Sequence, residues 1–78
     1  MKVTIVSPER TLFTGEASSV LVPGTKGRFE ILNHHAPIIS TLSAGTVRCT
    51  ADETFEVEVS GGFVEMHDNE VSVCVETA

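Results

Sequence analysis

The chain contains no tryptophan or tyrosine, and only 4 phenylalanines occur among its 78 residues. Aromatic rings are the usual platform on which proteins stack sugars and the bases of single-stranded nucleic acids. Basic residues are also scarce, with 5 lysines and arginines against 11 carboxylates, and no lysine or arginine follows Arg48. Because a phosphate backbone is bound by clustered lysine and arginine, we expect no nucleic-acid partner.

Cysteines and long apolar runs are few as well. The only cysteines are Cys49 and Cys74, which make no disulfide framework, and the start of the chain has no secretory signal pattern. We therefore expect both thiols to be reduced. No apolar run approaches the roughly 20 residues that span a bilayer, so any association with a membrane is expected to be indirect, through a protein partner.

The length predicts one domain, residues 1–78, with a modest core. A chain of this size buries about 60 to 65% of the surface that its unfolded form exposes. Its apolar fraction of 41% and charged fraction of 21% are ordinary for a globular protein and argue against disorder. Because the first and last predicted strands begin and end close to the chain ends, we expect no further module, and we find no linker or internal repeat.

Alternation of apolar and polar residues with a period of two dominates the chain. Residues 55–59 and 70–76 place apolar side chains on one face and carboxylates on the other, with Cys74 pointing outward. Five further segments rich in β-branched or aromatic residues are also predicted strands, at residues 2–6, 19–22, 29–32, 46–50 and 63–66. Turn residues, including the pair Gly61 and Gly62, separate the strands. The pattern predicts an all-β fold, a small antiparallel β-sandwich or flattened barrel with essentially no helix.

The adjacent histidines His34 and His35 raise the question of a metal site, since imidazole binds zinc and copper. Zinc needs three or four convergent ligands, whereas no second His or Cys cluster accompanies this pair, and adjacent residues of an extended backbone point to opposite sides. The structural interpretation is a polar loop in which His35 orders the turn into Ala36 and Pro37. We predict no metal site here.

Catalytic patterns are weaker still. Ser60 lacks the surroundings of a nucleophile elbow, and Glu56 and Glu58 project from one strand face as solvated carboxylates rather than as an acid–base pair. The segment 24–27 is too short for a phosphate-binding loop. The residues alone therefore indicate a non-catalytic interaction or structural module that needs no cofactor.

Lys26 and Arg28 flank Gly27 and form a small cationic patch on a chain with a formal net charge of −6. Such a patch can steer one acidic partner toward the protein. The alternative is an ordinary solvated surface, and the sequence favours neither.

Two ordered motifs resemble a known family. The first is the run from Gly27 to Pro37, which ends in His35-Ala36-Pro37 and continues through two isoleucines, a serine, a threonine and a leucine to Gly45; the second is Ser60-Gly61-Gly62-Phe63-Val64-Glu65. Together with Ser7-Pro8-Glu9 and Phe13-Thr14-Gly15, they resemble the epsilon subunit of bacterial F-type ATP synthases over nearly the whole chain.

The resemblance implies a non-catalytic rotor subunit of a proton-translocating ATP synthase. Such a subunit lies in the central stalk at the cytoplasmic face of the energy-coupling membrane and couples rotation of the c-ring to subunit gamma. The last residues of the chain match the strand before the family's C-terminal helical pair. The resemblance thus covers the sandwich alone, and the family's brake on ATP hydrolysis, which the helical pair carries, does not transfer.

Partner-binding positions follow from the same resemblance. The segment that corresponds to the part facing the polar loops of the c-ring comprises Lys26, Gly27, Arg28, Phe29 and Glu30. The positions near gamma and the neighbouring side are Ser7, Asn33, His34, His35, Ala36, Pro37 and Ser40.

The chain departs from the family pattern within these segments. Arg28 stands where an acidic residue is common, Glu30 where glycine is usual, and Asn33-His34 where Pro-Gly is common. We expect Arg28 to meet an acidic residue on the c-ring loop. Two alternatives stay open: an unrelated β-sandwich interaction module, and a metal-binding or hydrolytic domain centred on His34 and His35.

Overall fold

The computed structural model describes residues 1–78 as eight strands without a helix. The strands are β1 (Lys2–Val6), β2 (Thr11–Glu16), β3 (Ser19–Gly24), β4 (Gly27–Leu32), β5 (Ile38–Leu42), β6 (Gly45–Thr50), β7 (Thr54–His67) and β8 (Glu70–Thr77). The predicted all-β class is confirmed.

The strands form one continuous sheet that folds over itself into two layers. The first layer has the order β2-β1-β8-β7-β5, and the second contains β4, β3, β6 and the first part of β7. Strand β7 has 14 residues: its first part pairs with β6, and its second part pairs with β5 and β8. The register shifts between Val59 and Gly61, where β7 passes from one layer to the other.

Valines and isoleucines fill the space between the layers. The core is a cluster of 16 buried residues, and no polar side chain is buried with them. In β8 the alternation is as predicted, since Val71, Val73 and Val75 are buried while Glu70 and Ser72 are exposed. Cys49 lies in this core, and both cysteines are free thiols.

Two strands were not predicted. β2 contains a glycine at position 15, and its residues Leu12 and Phe13 are adjacent and both half-buried, so it does not alternate. β5 opens with Ile38 and Ile39 immediately after Pro37, and no strand was predicted over residues 38–42. β2 is an edge strand with β1 as its one partner, whereas β5 pairs with β7 along its length and with β3 at Leu42 and Gly24.

Gly61 and Gly62 were predicted to separate two strands, and this prediction was wrong. β7 runs through both residues, with Gly61 opposite Glu76 and Gly62 opposite Val75 and Leu42. Gly62 has a φ of 145°, and a Cβ built on it would overlap the carbonyl oxygen of Cys74. This glycine permits the close approach of β8 at the corner between the layers.

The sheet is mixed rather than wholly antiparallel. β1 pairs with β8 in parallel, from Lys2 opposite Glu70 to Val6 opposite Cys74, while the remaining strand pairs are antiparallel. β1 and β8 are the first and last strands of the chain, so no hairpin dictates their relative direction.

Candidate functional site

The segment predicted to face a c-ring is the hairpin between β3 and β4. Gly24 pairs with Gly27, so the turn consists of Thr25 and Lys26. The backbone N–H of Thr25 donates to the carbonyl of Thr41 at 3.0 Å, and the two threonine hydroxyls lie 2.9 Å apart. These contacts tie the tip of the hairpin to β5 and therefore to the first layer.

Phe29 differs from the other residues of this segment. Its ring packs over Gly24, where a Cβ would lie 2.7 Å from Cε1, and against the core. Lys26, Gly27, Arg28 and Glu30 are exposed. The structure therefore gives Phe29 an anchoring position and leaves the four others accessible to a partner.

Arg28 and Glu30 have no ion-pair partner within the chain. Arg28 borders an open groove on the second layer that is also lined by Thr46, Arg48, Glu56 and Glu58, and it forms an ion pair with neither carboxylate. Arg48 is neutralised by its own partner, since its Nε lies 2.5 Å from Oε2 of Glu56. The charge of Arg28 is thus available to a second molecule.

The structure does not bring Ser7, Ser40 and residues 33–37 together. Ser7 follows β1 at the hairpin end of the molecule, where its N–H donates to the carbonyl of Arg10 at 2.9 Å. Residues 33–37 lie at the opposite end, close to the turn between β7 and β8, and the N–H of His34 donates to Oδ1 of Asn69 at 2.7 Å. Ser40 lies midway along β5, which joins the two ends.

The histidine pair forms a turn, as the structural interpretation predicted. Nδ1 of His35 lies 2.8 Å from the carbonyl oxygen of Ala36, and the N–H of His35 donates to the carbonyl of Leu32 at 3.1 Å. The expectation of extended backbone is wrong at His34, which has a φ of 62°. No three His, Cys, Asp or Glu side chains are grouped so that they could hold a metal ion.

The outer surface of the first layer carries apolar side chains that the sequence analysis did not select. Thr41, Phe63, Cys74 and Val6 lie opposite one another in a row across β5, β7, β8 and β1. Phe63 is 47% exposed and Ile39, on the same surface, is 73% exposed. Pro8 borders the groove between Val6 and Phe63. We call Ile39, Phe63, Cys74, Val6 and Pro8 the Phe63 face.

A signal for this face was present in the sequence. In residues 63–66, Val64 and Met66 alternate with Phe63 and Glu65, so an inward Val64 requires an outward Phe63. A single outward phenylalanine is ordinary, and it becomes a candidate binding surface only together with its apolar neighbours on the other strands.

The outer surface of the second layer has a different character. It carries the Arg48–Glu56 ion pair, and the hydroxyl of Thr46 donates to the carboxylate of Glu58. Leu32, which is 52% exposed, lies at its margin at the end of β4. The two faces of the sandwich thus offer an apolar and a charged surface.

One group is electrostatically perturbed. Burial raises the pKa of the Cys49 thiol above its ordinary value, because the protein interior disfavours the thiolate. The thiol lies in the core, away from the hairpin and the Phe63 face.

Comparison with known proteins gives a consistent family. Residues 1–78 match the family described as ATP synthase, Delta/Epsilon chain, beta-sandwich domain. The ATP synthase epsilon chain of Leptospira interrogans serovar copenhageni is 45% identical over 74 residues, which are 94% of this chain and 58% of the relative. That of Pelotomaculum thermopropionicum is 40% identical over 78 residues, 99% of this chain and 58% of the relative. The chain thus spans about 58% of the length of these relatives.

Solved structures show the same fold at low sequence identity. A chain of the Tetrahymena thermophila mitochondrial ATP synthase central stalk and c-ring superimposes with a TM-score of 0.86 at 19% identity, over 97% of this chain and 63% of its own length. A chain of the Euglena gracilis mitochondrial ATP synthase gives 0.85 at 17% identity, over 94% and 48% respectively.

The structure contains no helix with the length and hydropathy that crossing a membrane requires.

Proposed function

Since this chain belongs to the ATP synthase delta/epsilon family as its β-sandwich domain, we propose that it is a non-catalytic rotor component of a proton-translocating ATP synthase. In this role it couples rotation of the c-ring to subunit gamma. It is peripheral, at the cytoplasmic face of the energy-coupling membrane, and reaches the membrane only through the complex. It requires no cofactor.

The observation that carries the proposal is the separation of two unlike surfaces on one small sandwich. A coupling subunit must hold two partners at once, so it needs two binding surfaces that do not overlap. The Phe63 face covers the first layer, and the hairpin with Lys26 and Arg28 projects from the end of the second. The two surfaces adjoin at one groove, which Ile39 and Ser40 line together with residues of the hairpin, and beyond this groove they cover different parts of the molecule.

Subunit gamma is assigned to the Phe63 face. Apolar burial contributes about 25 cal/mol per Å² before the costs of association. A surface with exposed Phe63 and Ile39 can therefore provide most of the binding free energy. Ser7 at one end adds a polar contact that fixes the orientation. Ser40 alternates with Ile39 and Thr41 along β5 and lies opposite the buried Val64, so we propose that it contributes at the groove that it lines with the hairpin. Residues 33–37 extend the gamma-binding surface toward the opposite end of the molecule.

The c-ring polar loops are assigned to the hairpin. An exposed ion pair contributes only about 0 to 1 kcal/mol, so Arg28 and Lys26 set the register and the choice of partner rather than the strength of the joint. Arg28 has no internal carboxylate, and we assign its partner as an acidic residue on the ring loop. The hydrogen bonds from Thr25 to Thr41 transmit the load from the hairpin to the first layer.

Two variants of the chain test whether gamma and the c-ring bind to different surfaces. Phe63→Asp introduces a charge into the apolar face and is expected to weaken gamma binding by at least about tenfold, with ring binding unchanged. Arg28→Glu is expected to weaken co-sedimentation with detergent-solubilised c-ring while leaving the titration into gamma unchanged. Arg10→Glu, which changes net charge as Arg28→Glu does but lies outside the hairpin, is the charge control for c-ring binding. If each variant weakened binding to gamma and to the c-ring equally, the assignment of the two surfaces would be wrong.

The alternative of an unrelated interaction module makes a different prediction. A folded chain of that kind would bind neither gamma nor the c-ring. The metal-site alternative predicts a saturable rise in melting temperature with zinc or copper, because a ligand that binds only the folded state stabilises it.

A further inference from the structure

Strand β4 is an edge of the sheet with a free side. It pairs with β3 along its whole length, and no strand pairs with its other side. An unpaired strand edge presents backbone N–H and C=O groups that a further strand can bind. Which residues present them follows from the hydrogen bonds of β3.

Alternate residues of β3 direct their backbone groups to opposite sides. The N–H of Thr25 donates to Thr41 and the carbonyl of Pro23 accepts from Ser43, so residues 23 and 25 face β5 and Gly24 faces β4. The pairing of β3 with β4 has no register shift. Gly27, Phe29 and Ile31 therefore bond to β3, and the backbone groups of Arg28 and Glu30 point to the free edge.

The same two residues carry opposite charges. Their side chains are exposed on the outer surface of the second layer, and neither has an ion-pair partner in the chain. On an edge strand, charges usually discourage pairing with another strand. A positive and a negative charge two residues apart can instead favour pairing with a second copy of the same strand. In an antiparallel pair, each charge can lie across from the opposite charge of the other copy.

Only one antiparallel register places outward backbone groups opposite one another and also places each charge opposite its complement. Residues with outward backbone groups, which are Arg28, Glu30 and Leu32, must lie opposite one another, so a twofold axis is allowed at any residue from 28 to 32. An axis at residue 31 or 32 places neither charge opposite its complement. An axis at Arg28 or Glu30 places like charges directly opposite, which is destabilising. An axis at Phe29 places Arg28 of each copy opposite Glu30 of the other, and each of these pairs exchanges two backbone hydrogen bonds.

We infer that β4 is a self-association edge, at which a second copy of this chain adds antiparallel with its Phe29 opposite Phe29 and two Arg28–Glu30 pairs across the junction. The other edge strand, β2, carries a single charged residue, Glu16, and offers no such selection of register. The contact is small, so we expect weak association, with a dissociation constant on the order of 100 µM.

The inference has a consequence that rests on the proposed function. Self-pairing covers Arg28 and Glu30, which belong to the hairpin region assigned to the c-ring. A self-paired chain therefore cannot be seated on the ring through that edge, and assembly requires the pair to separate. At chain concentrations above the dissociation constant, self-pairing would protect the open sheet edge until a partner replaces the second copy.

The test uses the chain alone, so its outcome is independent of gamma and ring binding. Sedimentation equilibrium between 10 µM and about 1 mM is expected to show a monomer–dimer equilibrium for the unmodified chain. Arg28→Glu and Glu30→Arg each place like charges opposite one another and are expected to weaken dimerisation at least tenfold. An equimolar mixture of these two variants restores complementary charges and is expected to associate like the unmodified chain.

Two controls sharpen the result. Arg10→Glu changes the net charge as Arg28→Glu does but lies outside β4, and it is expected to dimerise normally. The double variant R28E/E30R keeps both charges in exchanged positions and is expected to dimerise as well. If circular dichroism shows that one single variant does not fold, the double variant still tests whether complementary charges at these positions support dimerisation. A monomeric unmodified chain at 1 mM, or a mixture of variants that fails to associate, would overturn the inference.

Discussion

Gly62 is the residue on which the corner between the two layers depends. Its φ of 145° is one that L side chains rarely adopt, and a Cβ there would overlap the carbonyl oxygen of Cys74 on β8. Gly61, its neighbour in the same strand, has ordinary room, because the nearest atom to its Cβ would be the carbonyl oxygen of Leu42 at 3.6 Å. The two glycines therefore make a matched pair for substitution.

Gly62→Ala is expected to lower the free energy of unfolding by about 2 to 4 kcal/mol. Backbone strain contributes about 1 to 3 kcal/mol, and separating β7 from β8 to remove the overlap loses about one hydrogen bond, near 1 kcal/mol. Gly61→Ala is expected to change stability by less than about 1 kcal/mol. Urea unfolding followed by far-ultraviolet circular dichroism measures both. Equal effects of the two substitutions would refute the account of the corner.

Three further predictions concern stability and thiol chemistry. Because the pKa of Cys49 is raised in the folded state, the folded state keeps a thiol proton at pH values where the unfolded state has lost it. The contribution of this thiol to stability is therefore full below the ordinary thiol pKa and is lost as pH rises through the folded-state pKa. Thermal melts at pH 7 to 11 are expected to show this alkaline decline in the unmodified chain and not in Cys49→Ala. In the folded chain, iodoacetamide is expected to modify Cys74 but not Cys49, as mass spectrometry of digests will show. His34 has a φ of 62°, so His34→Val is expected to cost about 1 to 2 kcal/mol in urea unfolding and His34→Gly less, and similar losses would contradict the left-handed turn.

Much of the fold follows from alternation in the sequence. β8 was predicted with its buried and exposed residues in the right places, since a half-buried strand with two partners must keep a strict period of two. β2 and β5 were missed because neither sequence alternates apolar and polar residues: Leu12 and Phe13 are adjacent in β2, and Ile38 and Ile39 in β5. Gly62 was read as a break, since local sequence does not show that another strand will pass directly beside a glycine.

The candidate site was also predicted only in part. The hairpin with Lys26 and Arg28 was identified from turn residues and charge, which are local properties. The Phe63 face was not, because Phe63, Cys74 and Val6 are far apart in sequence and become neighbours only when β1 pairs in parallel with β8. The parallel pairing depends on the packing of the whole sandwich and leaves no local signal.

The proposed coupling function depends on the proposed binding of subunit gamma to the Phe63 face. The most direct test is a calorimetric titration of the purified chain into gamma from the same organism, with Phe63→Asp as the matched variant. The account predicts saturable one-to-one binding that Phe63→Asp weakens at least about tenfold without unfolding the chain. An absence of binding by the folded, unmodified chain would contradict it.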